Sequence, residues 1–231
     1  MLTKIILVVL FLILCYTISK ILNPANTISK MNNGWEENVV DIKKLNKNIN
    51  STNFTYSLWF HVKDWNSRYG DEKCLLRRGG SNNSAVESPK ITLGAMQNDI
   101  DIKMQVMNST ASGNDNICSV KNFPLQKWIN LAISLQNRTL DIYIDGKLHK
   151  TCLLDGVPKI PKTSNIYITP DGGFNGWTAN FQYWDGASNP QQIYDIYKKG
   201  YGGGALGNIF NKYKVRFQLL KNNEVSGEIE I

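Results

Sequence analysis

A chain of 231 residues, 42% of them hydrophobic, suits one domain of about 180 residues plus an appendage, with enough apolar material for a buried core. Its formal charge of +7 gathers partly in short clusters (Lys43, Lys44, Lys47; Lys198, Lys199; Lys212, Lys214, Arg216). These read as solvated faces and strand edges, or as contacts to anionic headgroups or an acidic partner. None of the aromatic-plus-basic signatures of a nucleic-acid module occurs, so nucleic acid is not an expected partner.

At the amino terminus "KIILVVLFLILCYTISKIL" is apolar almost throughout from Ile5 to Ile18, with Ile21 and Leu22 beyond Lys20. A spanning helix needs about 20 such residues, and residues 1–22 reach that length as a signal-anchor helix if Lys20 snorkels to the headgroups. Pro24 then stops it. A cleaved signal peptide is the rival, with a weak site near Ala25. The lysines around the span favour a cytoplasmic body, whereas used glycosylation sequons would require the other side. Residues 23–49, rich in Asn and Lys, read as a polar tether with a first strand near "NVVDIKKL".

From residue 53 the pattern turns to period two. "FTYSLWFHV" alternates Phe54, Tyr56, Leu58 and Phe60 against Thr55, Ser57, Trp59 and His61. "KITLGAM", "DIDIKMQVM", "WINLAISLQ", "TLDIYIDG", "KLHKTCLL" and "SNIYIT" follow, each bounded by Gly, Asn, Asp or Pro. So many short strands predict an antiparallel sandwich or barrel. "NPQQIYDIYKKG" is the one convincing soluble helix. Asn189 is its N-cap, Pro190 its first residue and Gly200 its stop; Ile193, Ile196 and Tyr197 share one face. "ISLQNRTLDIYIDGKL" folds as a meander with tight turns at Asn137-Arg138 and Asp145-Gly146. That register runs the third strand back along "LHKTC" and sets Cys152 near Thr139, while Cys118 lies on the segment entering the meander. Cys118 and Cys152 are therefore candidates for a disulfide; otherwise they are small buried hydrophobes. No cysteine spacing suits zinc.

"FTYSLWFHVKDW", "FPLQKWINLAISLQNRTLDIYIDGKL" and "FNGWTANFQYWDGASNPQQIYDIYKKG", in this order, resemble the laminin-G-like jelly roll of the concanavalin A-like lectin/glucanase superfamily. The resemblance covers residues 50–203 and implies an all-β, antiparallel jelly-roll sandwich with a short helix near its C-terminal end. With the anchor, the asparagine-rich composition and the "GYGGGALGNIFNKYKV" tail, it looks most like membrane-anchored members encoded by large DNA viruses. Residues 204–231 read as a Gly-rich connection and a terminal hairpin turning at Asn222-Asn223.

The superfamily includes glucanases, which carry a Glu-x-Asp-x-Glu pattern on one strand. Here Asp99, Asp101, Asp141 and Asp145 stand without a glutamate, and Glu228 and Glu230 fall outside the matched region. Catalysis is not expected. Some laminin-G-like domains bind calcium at their rim, which makes Asp171, Asp145 and Asp115 its candidate ligands. Period two places Phe181 and Tyr183 in the core, with Trp184 under the helix. Trp177, outside that alternation, and Trp65 are the candidate glycan-stacking rings. Sequons stand at Asn50, Asn53, Asn82, Asn108 and Asn137, although so Asn-rich a chain produces several by chance. The expected function is a membrane-anchored, non-enzymatic module recognising glycan or protein. The alternative is a structural virion component, a minor capsid or membrane–capsid linking protein.

Overall fold

Strands form here because β-branched and aromatic residues recur at alternate positions, and two sheets form because each strand needs cover for its apolar side. The computed structural model describes residues 9–14, 16–17, 27–45, 51–80, 86–107, 116–202, 216–221 and 224–230. The strands are β1 (Thr27–Ser29), β2 (Asn32–Asn33), β3 (Asn38–Val40), β4 (Phe54–Val62), β5 (Lys73–Gly79), β6 (Glu87–Leu93) and β7 (Ile100–Met104). There follow β8 (Asn116–Val120), β9 (Trp128–Gln136), β10 (Thr139–Ile144), β11 (Lys147–Leu153), β12 (Ile166–Ile168) and β13 (Gly176–Trp184), then the helix α1 (Pro190–Lys198). Sheet A runs in the order β1-β13-β4-β9-β10-β11, with β2 also on β13; sheet B runs β3-β12-β5-β6-β7-β8. All pairings are antiparallel.

The core lies between the sheets. Phe54, Tyr56, Leu58 and Phe60 of β4, Ile129, Leu131, Ile133 and Leu135 of β9, and Phe181 and Tyr183 of β13 meet Leu75, Leu76, Ile91, Ile100 and Ile102 of sheet B. It also holds a cation: Arg78 is fully buried and donates to Tyr56 Oη at 3.2 Å. Burial pushes the Tyr183 phenol up to about 12 and the free thiol of Cys74 likewise to about 12, which leaves that thiol chemically inert.

Two expectations need correction. Residues 23–49 are not simply a tether. β1, β2 and β3 lie in this stretch, Val40, Ile42 and Leu45 enter the core, and the compact unit runs from Asn26 to Tyr197. Strands of two or three residues are too short to show a period. β5 is a central strand of sheet B that alternation did not reveal, because its register shifts between Cys74 and Leu76 so that Leu75 and Leu76 are both buried.

On the side where β11 and β8 form the outer edges, Cys118 and Cys152 are bridged, with Cα atoms 6.2 Å apart. Cys152 pairs across β10 with Leu140, one residue from the Thr139 of the expected register. The Asn137 and Asp145 turns both take positive φ, 55° and 50°. Near the sheet B edge, Asp99 accepts from Lys121 Nζ at 2.7 Å and from the Asn122 N–H at 3.1 Å. Its carboxyl is held below the usual carboxylate range, chiefly by the Lys121 hydrogen bond. A folded-state pKa lowered in this way contributes stability above the unfolded value, about 3.9, which is lost as pH falls through the folded one. Asp99→Asn should therefore flatten the fall in stability below about pH 4, as urea titrations between pH 3 and 7 would show; an unchanged slope would remove the assignment.

The second unit comprises residues 1–25 and 198–231. Residues 9–14 and 16–17 are helical, with apolar side chains 48% (Val9) to 63% (Phe11) exposed. Most of the segment read as an anchor lies outside the described residues, and among those described no helix is long and apolar enough to cross a membrane. β14 (Arg216–Lys221) and β15 (Glu224–Glu230) pair antiparallel as a two-stranded sheet of their own.

Candidate functional site

The outer face of sheet A is half covered. Asn189 caps α1, its Oδ1 accepting the Gln192 N–H at 2.9 Å while Gln192 Oε1 accepts the Asn189 N–H at 2.9 Å. Gly200 takes φ 70° just beyond the helix. The apolar side of α1 sets Ile193 and Ile196 on Ala132 and Tyr143, with Trp184 packed beside them, and Tyr197 stacks on Trp59 at 5.6 Å and 16°. Two residues further along the strands this cover ends.

There the ladders align one row across four strands. Asn33 of β2 is opposite Trp177 of β13, Trp177 opposite His61 of β4, and His61 opposite Trp128 of β9. Directly opposed residues share a face, so all four lie on the outer side of sheet A. The His61 ring stands 5.5 Å from that of Trp177 and 5.6 Å from that of Trp128, each at 60°. Trp177 is 36% exposed; His61 and Trp128 are half-buried. His61 Nδ1 has no hydrogen-bond partner among the described residues. Lys63 Nζ lies 5.9 Å from the centre of the Trp177 ring, and Trp35, also exposed, lies in the turn that leaves β2. The row is thus two flat apolar faces either side of a polar ring, with an amide and an ammonium at one end.

The parity of β13 explains why Trp177 faces outward. Residues 177, 179, 181 and 183 would share one face of a regular strand. The pairing with β4 shifts between Ala179 and Gln182, with Asn180 at φ 50°. This bulge turns Trp177 and Ala179 outward and leaves Phe181 and Tyr183 in the core. His61 and Trp128, isolated in the sequence, join the site only through strand pairing. The outward position of His61 in "FTYSLWFHV" was the one local signal.

Trp65 lies apart from this row. It packs edge-on against Phe123 at 5.7 Å, donates Nε1–H to the Met96 carbonyl at 3.3 Å, and carries Lys73 Nζ 4.5 Å above its ring. Its ring is engaged in the fold and is not the stacking surface expected of it.

The carboxylates are also engaged. Asp171 accepts from Arg77 Nη1 at 3.0 Å, and its carbonyl accepts from Arg68 Nη1 at 2.9 Å. Asp145 accepts from Lys127 Nζ at 3.1 Å and from the Asn130 N–H at 2.9 Å. Each pairs with a cation, and among the described residues no three His, Cys, Asp or Glu residues converge as metal ligands. These two aspartates do not make a calcium cage; Asp115 lies outside the described residues. Asp141 accepts from Thr151 and Asp101 from Ser119. Of the sequons, Asn137 is exposed at a hairpin tip and donates its N–H to Asn53 Oδ1 at 2.7 Å; Asn50, Asn82 and Asn108 lie outside the described residues.

A laminin G family profile described as the concanavalin A-like lectin/glucanases superfamily matches residues 36–194. No curated protein matches the chain. Similar solved structures include the receptor binding domain of the botulinum neurotoxin C/D mosaic serotype, with TM-score 0.56, 17% identity, and 76% of this chain and 45% of that one covered. The botulinum neurotoxin serotype D binding domain gives 0.56, 18%, 78% and 47%. The binding domain of botulinum neurotoxin DC in complex with rat synaptotagmin II gives 0.53, 15%, 74% and 42%. At these identities the likeness is one of fold, and this chain spans less than half the length of each.

Proposed function

The chain belongs to the concanavalin A-like lectin/glucanases superfamily, and from that premise we propose that it is a non-enzymatic binding module that recognises glycan on the outer face of sheet A. The observation that carries this reading is the Trp177–His61–Trp128 row. Aromatic planes stack on the apolar faces of pyranose rings, and nearby polar groups fix orientation. That Asp99, Asp101, Asp141, Asp145 and Asp171 are tied to cations, turns or hydroxyls supports binding without hydrolysis. Trp177→Ala should lower the affinity for a glycan selected on an array at least about tenfold, with the melting temperature nearly unchanged. Undiminished binding by a folded variant would remove the assignment.

A protein receptor is the competing occupant, since one structural neighbour is in complex with synaptotagmin. The module is tethered to a membrane by residues 5–22, the described part of which exposes its apolar side chains. The sandwich lies on the non-cytosolic side, where a bridge such as Cys118–Cys152 persists. In a eukaryotic secretory host, Asn137 should then carry a glycan that peptide mass spectrometry detects and Asn137→Gln removes. An unmodified Asn137 together with alkylatable Cys118 would place the domain in the cytosol.

A second reading, a minor capsid or membrane–capsid linking protein of a large DNA virus, is favoured by the β14–β15 hairpin. Its two-stranded sheet has outer edges suited to pairing with another chain. It requires stoichiometric presence in purified particles, and absence there would end it.

A further inference from the structure

Resting on the glycan reading above, we infer that the ligand is an extended, β-linked oligosaccharide of at least three sugar units, lying across the strands of sheet A with its first and third units on Trp177 and Trp128. Three observations carry this. The two indoles stand on strands either side of β4, two strand spacings or about 10 Å apart. A single pyranose cannot cover both rings, whereas alternate units of an extended chain can. In a β1,4-linked chain successive sugars turn by half a revolution, so units one and three present the same face, as two rings on one sheet face require. The middle unit crosses the exposed part of the half-buried His61 ring, which is held between the indoles and whose Nδ1 is itself buried. A hydroxyl-rich unit meets a polar ring there, not a third apolar plane.

The chain direction is bounded as well. Tyr197, stacked on Trp59, stands on the helix side of the row, so an oligosaccharide runs parallel to that wall and not along the strands. Lys63 beside Trp177 has no carboxylate within ion-pair distance among the described residues, and Asn33 is in register with Trp177. Both supply hydrogen bonds to the unit at that end.

The test is calorimetric titration of the full chain in detergent with glucose, cello-oligosaccharides and chito-oligosaccharides of one to six units. In at least one series, affinity is expected to rise about tenfold between the monomer and the trimer and then level off. Trp128→Ala should abolish the rise; Trp128→Phe, which keeps a flat ring, should retain the rise and so controls for folding. An affinity independent of chain length, abolished by Trp177→Ala alone, would overturn the three-unit inference and leave the glycan reading standing. Absence of binding to both series and to an array, with a protein captured through Trp177 and Trp128, would overturn both.

Discussion

A Cys118→Ala, Cys152→Ala double variant should melt roughly 10 °C below the oxidised parent. The bridge closes a segment of sequence separation 34, which by loop-closure entropy corresponds to about 4 kcal/mol. Its place in the fold makes this a cost to the whole sandwich. β11 is the outer strand of sheet A and β8 the outer strand of sheet B, on the side where Lys150 Nζ donates to the Ser119 carbonyl at 3.1 Å and the Asp155 N–H to Asn116 Oδ1 at 2.9 Å. The facing side needs no such bond, because Asn38 Nδ2 of β3 donates to Ser29 Oγ of β1 and the intervening chain is short. Reduction of the parent should reproduce the shift, and the double variant should ignore reductant. A parent whose melting does not respond to reductant would show that packing alone closes that edge.

Gly176→Val should cost about 3 kcal/mol and remove the glycan binding proposed above without altering any aromatic residue. A Cβ at Gly176 would run into the carbonyl oxygen of His61 and approach Phe174 Cε2 to 2.8 Å. Neither can give way cheaply. The His61 carbonyl belongs to the β4 strand that Gly176 and Trp177 pair with, and Phe174 is fully buried against Phe60. Relief means parting β13 from β4 beside the Trp177–His61 pair, so the row breaks where its rings meet. Gly186→Ala is the control, since nothing lies within 4 Å of a Cβ there, and it should stay within about 0.5 kcal/mol of the parent. Denaturant unfolding and titration of the same variants measure both quantities. A Gly176→Val variant with parental stability would mean that the two strands separate freely at this point.

Strand alternation in β4 and β9 could be read from single segments because each has one face toward the core and nine residues in which to show it. The helix was legible from its cap, its proline and the glycine that stops it. β1 and β2 were not, since two or three residues have no period, whereas β3 falls where a strand is expected near "NVVDIKKL". β5 was hidden by its own register shift, which buries consecutive leucines.

For the site, Trp177 was singled out because it stood outside the run of core aromatics. Trp65, the other candidate ring, is tied to Phe123, Met96 and Lys73. An exposed ring and a ring under a lysine look alike until the neighbours are known.

By itself the sequence determined the class of the domain: an antiparallel sandwich with one short helix, because alternation and capping are local and reach the fold through nearest neighbours. Only the tertiary structure decided the aromatic row on the outer face of sheet A, which comes from strand pairing. Asn33, Trp177, His61 and Trp128 are far apart along the chain, and hydrogen-bonded pairing of four strands, with a bulge at Asn180 setting the parity of one, turns them into a single row.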